Sequence, residues 1–336
     1  MTVSYHINGN RTTSMKLTKA LPFVTLFAME SREKIRRLCE NIERSLKGKP
    51  EGIRMALVAL LARGHLLIED VPGVGKSTLA ESLARSVHCA FKRIQFTSDL
   101  LPSDILGVPI FNPKENTFEF RPGPIFTQIL LADEINRTTP KTQSALLEAM
   151  NDGRVTVENE TYPLPKPFMV IATQNPSDHH GVYPLPESQL DRFMIRIRLG
   201  YPAAADEKAI LLQSAVFPGA GPVVSAEEVL KLQEEVEGVK VDESLVDYIL
   251  AVAQATRLSP SLSIGVSTRG ALFLQRASRA LAFVEGRDYC LPDDIKKLAP
   301  LVFSHRLVLK SRQNGSPARE ADSIISEILE TVPVPI

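Results

Sequence analysis

The chain has 336 residues, 44% apolar and 23% charged, with 39 basic against 39 acidic side chains. At roughly 150 residues per domain this is about two domains, each long enough to bury its own core. The composition excludes a collagen-like, disordered or disulfide-stapled chain. The evenly spread neutral charge offers no basic stripe, so no nucleic-acid partner is expected.

Cys39, Cys89 and Cys290 lie far apart without CxxC spacing and read as small apolar residues of a reducing compartment, so a cytoplasmic location is expected. The histidines fall in no metal-ligand spacing, and the adjacent pair His179-His180 would point apart in an extended loop. No apolar run approaches the roughly 20 residues that cross a bilayer. Residues 20–29 loosely resemble the apolar part of a signal peptide, but no A-x-A site follows and a charged amphipathic helix begins at once. Residues 1–28 are therefore expected to be a poorly ordered extension, with Met29 as an alternative start.

From residue 30 to 62 the pattern is helical, with Ile35, Leu38, Cys39, Ile42 and Leu46 at spacings of three and four and a break at GKPEG (48–52). A β-type run at 65–69, a Gly/Pro turn and a helical stretch at 77–87 follow. Further strand-like runs are 91–96, 129–133, 168–173 and 193–199. Strands that read as continuous apolar runs and alternate with helices imply a parallel sheet covered on both faces. Two segments, 108–120 and 155–163, carry β-type arms around polar turns and read as inserted hairpins, with edge strands of the main sheet as the alternative. After Tyr201-Pro202 the chain turns helical: 205–215, 226–235, 243–257, 268–284, 292–309 and about 321–329. This predicts an α/β core over 29–200 and a helical second domain over 201–336.

The stretch Asp70-Val71-Pro72-Gly73-Val74-Gly75-Lys76-Ser77, followed by Thr78, lies between the first strand and a helix. It fits the phosphate-loop template G-x-x-x-x-G-K-[ST] except that Asp70 replaces the first glycine. Gly73 and Gly75 let backbone N–H groups face phosphate oxygens, the helix N-terminus adds positive potential, Lys76 reaches the β- and γ-phosphates, and the Ser77 hydroxyl ligates Mg²⁺. The apolar run ILLAD ends in Asp133 and Glu134. A strand end of this kind offers one carboxylate, Asp133, to the metal and the other, Glu134, to the attacking water as general base. These two motifs predict nucleoside-triphosphate binding and hydrolysis, and leave open a kinase, a GTPase or a mechanical ATPase. Asn175, ending the strand FMVIATQN, is placed to polarise the attacking water. Arg192, in LDRF, would sit at the rim of the sheet, where an arginine commonly enters a neighbouring subunit's site. Arg269, opening a helix of the second domain, is expected to touch the same nucleotide from the lid.

Together these motifs resemble an AAA+ ATPase, closely a member of the MoxR family, over about residues 32–310. The resemblance rests on GHLLIEDVPGVGKSTLA (64–80), RIQFTSDLLPSDILG (93–107), LLADEINRTTPKTQSALLEAM (130–150), VIATQNP (170–176), YPLPESQLDRF (183–193) and SHRLVL (304–309). In that family the phosphate loop regularly begins with Glu-Asp. The resemblance implies a P-loop αβα core with a five-stranded parallel sheet and two inserted β-hairpins, followed by an all-α lid. It implies ATP and Mg²⁺ as ligands, Asn175 as the sensor-1 residue, Arg192 as the arginine finger, Arg269 as the sensor-2 arginine, and Arg137 as a residue acting across a subunit interface. It also implies a homo-hexameric ring that matures, loads with metal or activates a client protein together with a von Willebrand factor A domain partner. The ATPase subunit of a metal chelatase shares both inserts and is the alternative. A helicase-like DNA-acting ATPase fits the flat charge and short chain poorly.

Overall fold

Two helices precede the first strand, α1 (Phe23–Ser45) and α2 (Pro50–Leu61). The computed structural model describes residues 23–176, 181–212, 221–310 and 317–335. Helix α1 thus begins inside the stretch expected to be a poorly ordered extension, and residues 1–22, the rest of that stretch, lie outside the described residues. Ile35, Leu38 and Ile42 are buried along one stripe of α1, as their spacing requires, and Leu46 is buried just beyond its end. Helix α2 opens on a proline, whose fixed φ suits the first turn, and is buried from Met55 to Leu61.

The α/β half continues through β1 (Leu66–Glu69), α3 (Lys76–Ser86), β2 (Phe91–Gln95), α4 (Pro102–Leu106), β3 (Gly107–Asn112), β4 (Thr117–Pro122) and β5 (Ile129–Asp133). It closes with α5 (Pro140–Asp152), β6 (Arg154–Val157), β7 (Glu160–Pro163), β8 (Met169–Gln174), α6 (Glu187–Leu190) and β9 (Ile195–Ile197). Five strands form one parallel sheet in the order β2-β5-β8-β1-β9. Side chains alternate between its faces. Leu66, Ile68, Ile129, Leu131 and Ile171 join the core under α1–α3, whereas Leu67, Leu130, Ala132, Val170 and Ala172 join a second core with Leu146 and Leu147 of α5. With all strands parallel, their C-terminal ends share one edge, the edge at which ligands bind in such sheets.

The two inserts are separate two-stranded antiparallel hairpins, β3–β4 and β6–β7, and neither joins the main sheet. They lean on each other through stacked rings of Phe120 and Tyr162, 4.2 Å apart. On the first hairpin Phe111 and Phe118 pair at 5.3 Å while both remain exposed, Phe118 by 71%.

The helical half comprises α7 (Ala204–Leu212), α8 (Ala226–Glu237), α9 (Glu243–Leu258), β10 (Leu262–Ile264), α10 (Thr268–Val284), α11 (Pro292–Phe303), β11 (Val308–Leu309) and α12 (Pro317–Thr331). The last residues of the helix expected at 205–215 lie outside the described residues. The helix expected over 292–309 stops at Phe303. A 3₁₀ turn, Ser304–Arg306, follows, and β11 then pairs antiparallel with β10, a strand the periodicity does not announce. The cause is tertiary: the His305 ring and the Arg306 guanidinium turn inward to the Phe193 carbonyl ahead of β9. The lid is fastened to the core by apolar packing, with Leu274, Ala277 and Leu281 of α10 in the same cluster as α2.

Candidate active site

The loop after β1 owes its shape to two glycines. Gly73 and Gly75 have φ of +84° and +95°, a region L-residues rarely adopt, and Gly75 caps α3 directly before Lys76. A Cβ at Gly73 would meet nothing, so the loop's outer side is open there, and the first-turn N–H groups of α3, including those of Ser77 and Thr78, have no intrahelical carbonyl to bond. Val74 is buried and anchors the loop, whereas Val71 is half-buried and Pro72 exposed. Lys76 Nζ donates to the Asp70 carbonyl at 2.6 Å.

Asp70 has a task that its place in the template hides. Its carboxylate is buried and accepts the N–H groups of Leu199 and Gly200, both at 2.6 Å, and of Val71 at 2.9 Å. It braces the start of the loop against the turn after β9, a contact glycine could not make, and offers the loop's interior only its carbonyl.

At the same edge β5 delivers the two acids. Asp133 Oδ1 accepts from Thr173 Oγ1 at 2.6 Å, and Oδ2 from Arg93 Nη2 at 2.5 Å. Glu134 holds φ of +57°, a strained conformation for a residue with a side chain, costing on the order of 1–3 kcal/mol. Its N–H is held by Thr173 Oγ1 at 2.9 Å. Its carboxylate accepts from Gln95 Nε2 at 2.7 Å and lies 3.0 Å from Arg137 Nε. Asn175 is buried one residue beyond β8, whose Gln174 lies beside Glu69. β8 runs between β5 and β1, so the phosphate loop, Asp133, Glu134 and Asn175 gather at one edge.

Arg192 and Arg269 lie at the other edge. Arg192 comes shortly before β9, whose first residue, Ile195, is level with Leu66 at the start of β1, whereas Lys76 lies beyond the far end of β1. The length of the strand, at about 3.3 Å per residue, separates the two positions. The Arg192 guanidinium rests on the Leu147 carbonyl of α5. Arg269, expected to touch the nucleotide from the lid, has Nη1 3.8 Å from Asp191 Oδ2, on the Arg192 side.

Sequence spacing does not single out Arg93, Gln95 and Thr173, which the fold brings against Asp133 and Glu134. Arg93 and Gln95 are alternate, same-face polar positions in a strand beside β5, which is a usable signal only once strand order is known. Among the described residues no three His, Cys, Asp or Glu side chains gather as a metal cluster. No helix among them is long and apolar enough to cross a membrane.

The model of the ATPase family associated with various cellular activities (AAA) matches residues 65–195, and that of the AAA lid domain matches 254–328. Chaperone MoxR1 of Mycobacterium tuberculosis is 41% identical over 305 residues, covering 88% of this chain and 81% of MoxR1. The chain belongs to the MoxR family of AAA+ ATPases. YeaC of Bacillus subtilis, itself uncharacterized, is 50% identical over 300 residues, 88% of this chain and 93% of YeaC. A crystal structure of a Cytophaga hutchinsonii protein, named as a candidate ATPase, superposes with a TM-score of 0.83 at 36% identity, covering 93% of this chain and 98% of that one. This MoxR-family protein therefore binds and hydrolyses ATP, on an α/β AAA+ core followed by a helical lid. Magnesium-chelatase subunit ChlI-2 of Arabidopsis thaliana is more distant, 29% identical over 53% of this chain and 43% of the subunit.

Proposed function

We propose that the chain hydrolyses ATP between adjacent copies in a closed homo-hexameric ring, each site completed by Arg192 and Arg269 of a neighbour, and that the ring remodels a client protein presented by a von Willebrand factor A domain partner. One observation carries the ring: both arginines lie at the edge of the sheet opposite to the phosphate loop, Asp133, Glu134 and Asn175. A head-to-tail contact, repeated until it closes, brings the two edges together.

In this reading the Gly73–Gly75 backbone and the first turn of α3 cradle the phosphates, with Lys76 balancing their charge. Ser77 and Asp133 would hold Mg²⁺, a hard cation suited to a hydroxyl, a carboxylate and phosphate oxygens, and it would neutralise charge on the leaving phosphate. Asn175 orients the attacking water, Glu134 takes its proton, and the neighbour's Arg192 and Arg269 offset the charge that develops. The Gln95 and Arg137 contacts hold Glu134 until the site is filled. The projecting hairpins, with Phe111 and Phe118 bare, are the surfaces for client or partner. Maturation or metal loading of the client, in the cytoplasm where thiols such as the three free cysteines stay reduced, is the fitting task.

Specific ATPase activity should rise with protein concentration as rings assemble, and Arg192→Ala should bind ATP but turn it over slowly. Mixing Arg192→Ala with Glu134→Gln subunits should restore activity, because live sites then meet intact arginines. Activity independent of concentration, with no restoration on mixing, would refute the shared site.

A further inference from the structure

Asp191 caps α6 and immediately precedes Arg192. Its carboxylate faces the lid. Oδ1 accepts from Arg306 Nε at 2.8 Å, Ser267 Oγ lies 3.1 and 3.2 Å from the two oxygens, and Arg269 Nη1 lies 3.8 Å from Oδ2. Arg306 is 4% exposed and directs its other donors to both sides of the same junction. Its Nη2 donates to the carbonyls of Asp191 and Phe193, and its Nη1 to that of Val302 in α11. The guanidinium carbon also lies 5.3 Å from the centroid of the Phe273 ring on α10. A single lid side chain therefore grips the residue before Arg192 and the residue after it, while the carboxylate in that grip is shared with Arg269.

Holding the lid on the core does not require this pair. The apolar cluster joining α2 to α10 does so, and a buried ion pair adds little net stability because desolvation offsets its attraction. Burial draws the Arg306 guanidinium down to about 10, against the upward pull of Asp191, which leaves it charged at neutral pH. A planar guanidinium with its donors fixed by carboxylate and carbonyls has one orientation, so what the pair supplies is geometry.

We infer that Asp191 and Arg306 are positioning residues for the shared ATPase site, tying the lid to the backbone on both sides of Arg192 so that Arg192 and Arg269 are presented to the neighbouring copy as one unit. The inference rests on the reading of Arg192 as the residue that completes a neighbour's site.

The test uses the full chain with Asp191→Asn, nearly isosteric but uncharged, beside Arg192→Ala as reference. Binding of a fluorescent ATP analogue, steady-state kcat and KM, and mixing with Glu134→Gln subunits are measured for both. Asp191→Asn should bind the analogue within about twofold of wild type and lose about 10- to 100-fold in kcat, the penalty of an ångström-scale misplacement. The loss should be restored by Glu134→Gln subunits, which supply an undisturbed arginine pair. Arg306→Lys keeps the charge but not the fork; it should show a smaller loss with the same restoration, and it decides the matter if Asp191→Asn does not fold. Wild-type kcat in the folded variants overturns the inference while a loss in Arg192→Ala leaves the shared site standing. A loss that mixing does not restore overturns it as well, since the defect then lies in the variant's own site or fold. Full activity of Arg192→Ala would overturn the reading beneath it.

Discussion

The Thr173 hydroxyl donates to Asp133 Oδ1 over 2.6 Å and at the same time accepts the Glu134 N–H over 2.9 Å. One side chain of β8 thus orients the first acid of β5 and holds the left-handed backbone of the second. Thr173→Val keeps shape and removes both bonds. It should leave nucleotide affinity within a few-fold, lower kcat about tenfold, and cost about 1–3 kcal/mol through the unpaired buried N–H. Steady-state kinetics beside urea unfolding tests this, and unchanged kcat would show that Thr173 only packs.

Lys76 and Glu134 should separate binding from turnover. Lys76→Ala removes charge that meets phosphates in the ground state and should weaken ATP binding about 10- to 100-fold. Glu134→Gln should bind normally and lose about 10²–10⁴ in kcat, the range for a general base. Equilibrium titration with a fluorescent nucleotide and a phosphate-release assay distinguish the two, and wild-type turnover by Glu134→Gln would remove it from the base role.

Acid should unfold the protein partly through His65. Its Nδ1 accepts the Val170 N–H at 3.0 Å, its Nε2 faces the Met150 carbonyl at 3.0 Å, and burial lowers it from 6.5 to about 4. The unfolded chain binds this proton first, so stability is full above pH 6.5 and declines as pH falls toward 4, by about 2 kcal/mol between pH 7.5 and 5. His305, buried beside Arg306 and also pushed well below its ordinary value, acts in the same direction. Urea midpoints at the two pH values should differ less in His65→Gln than in wild type. An equal difference would mean that His65 does not carry the dependence.

The exposed pair Phe111 and Phe118 should matter to a partner and not to basal chemistry. Phe111→Ser with Phe118→Ser removes apolar surface from a hairpin that stands outside the main sheet. Basal ATPase activity should stay within about twofold, while stimulation by a von Willebrand factor A domain protein should fall at least about tenfold, as for loss of a central aromatic anchor. Equal stimulation of wild type and variant would leave the hairpin a structural insert.

Some of this protein is written in contiguous residues. Gly73 and Gly75 must adopt positive φ, Lys76 and Ser77 must open a helix, and an apolar run ending in Asp133-Glu134 must be a buried strand reaching an edge; each follows from local conformation and periodicity. Helix α10 is similarly legible, from Ser267 as its cap to Val284. Other features depend on residues distant in the chain that strand order and direction bring together. Asp70 meets the Leu199 and Gly200 N–H groups, Gln95 meets Glu134, and His305 and Arg306 cut α11 short at the Phe193 carbonyl. The edge on which Arg192 and Arg269 lie is decided in the same way. A parallel sheet sends the start of β9 to the end opposite the phosphate loop, and the packing of the lid then sets Arg269 against Asp191 on that same side, which no spacing along the sequence encodes.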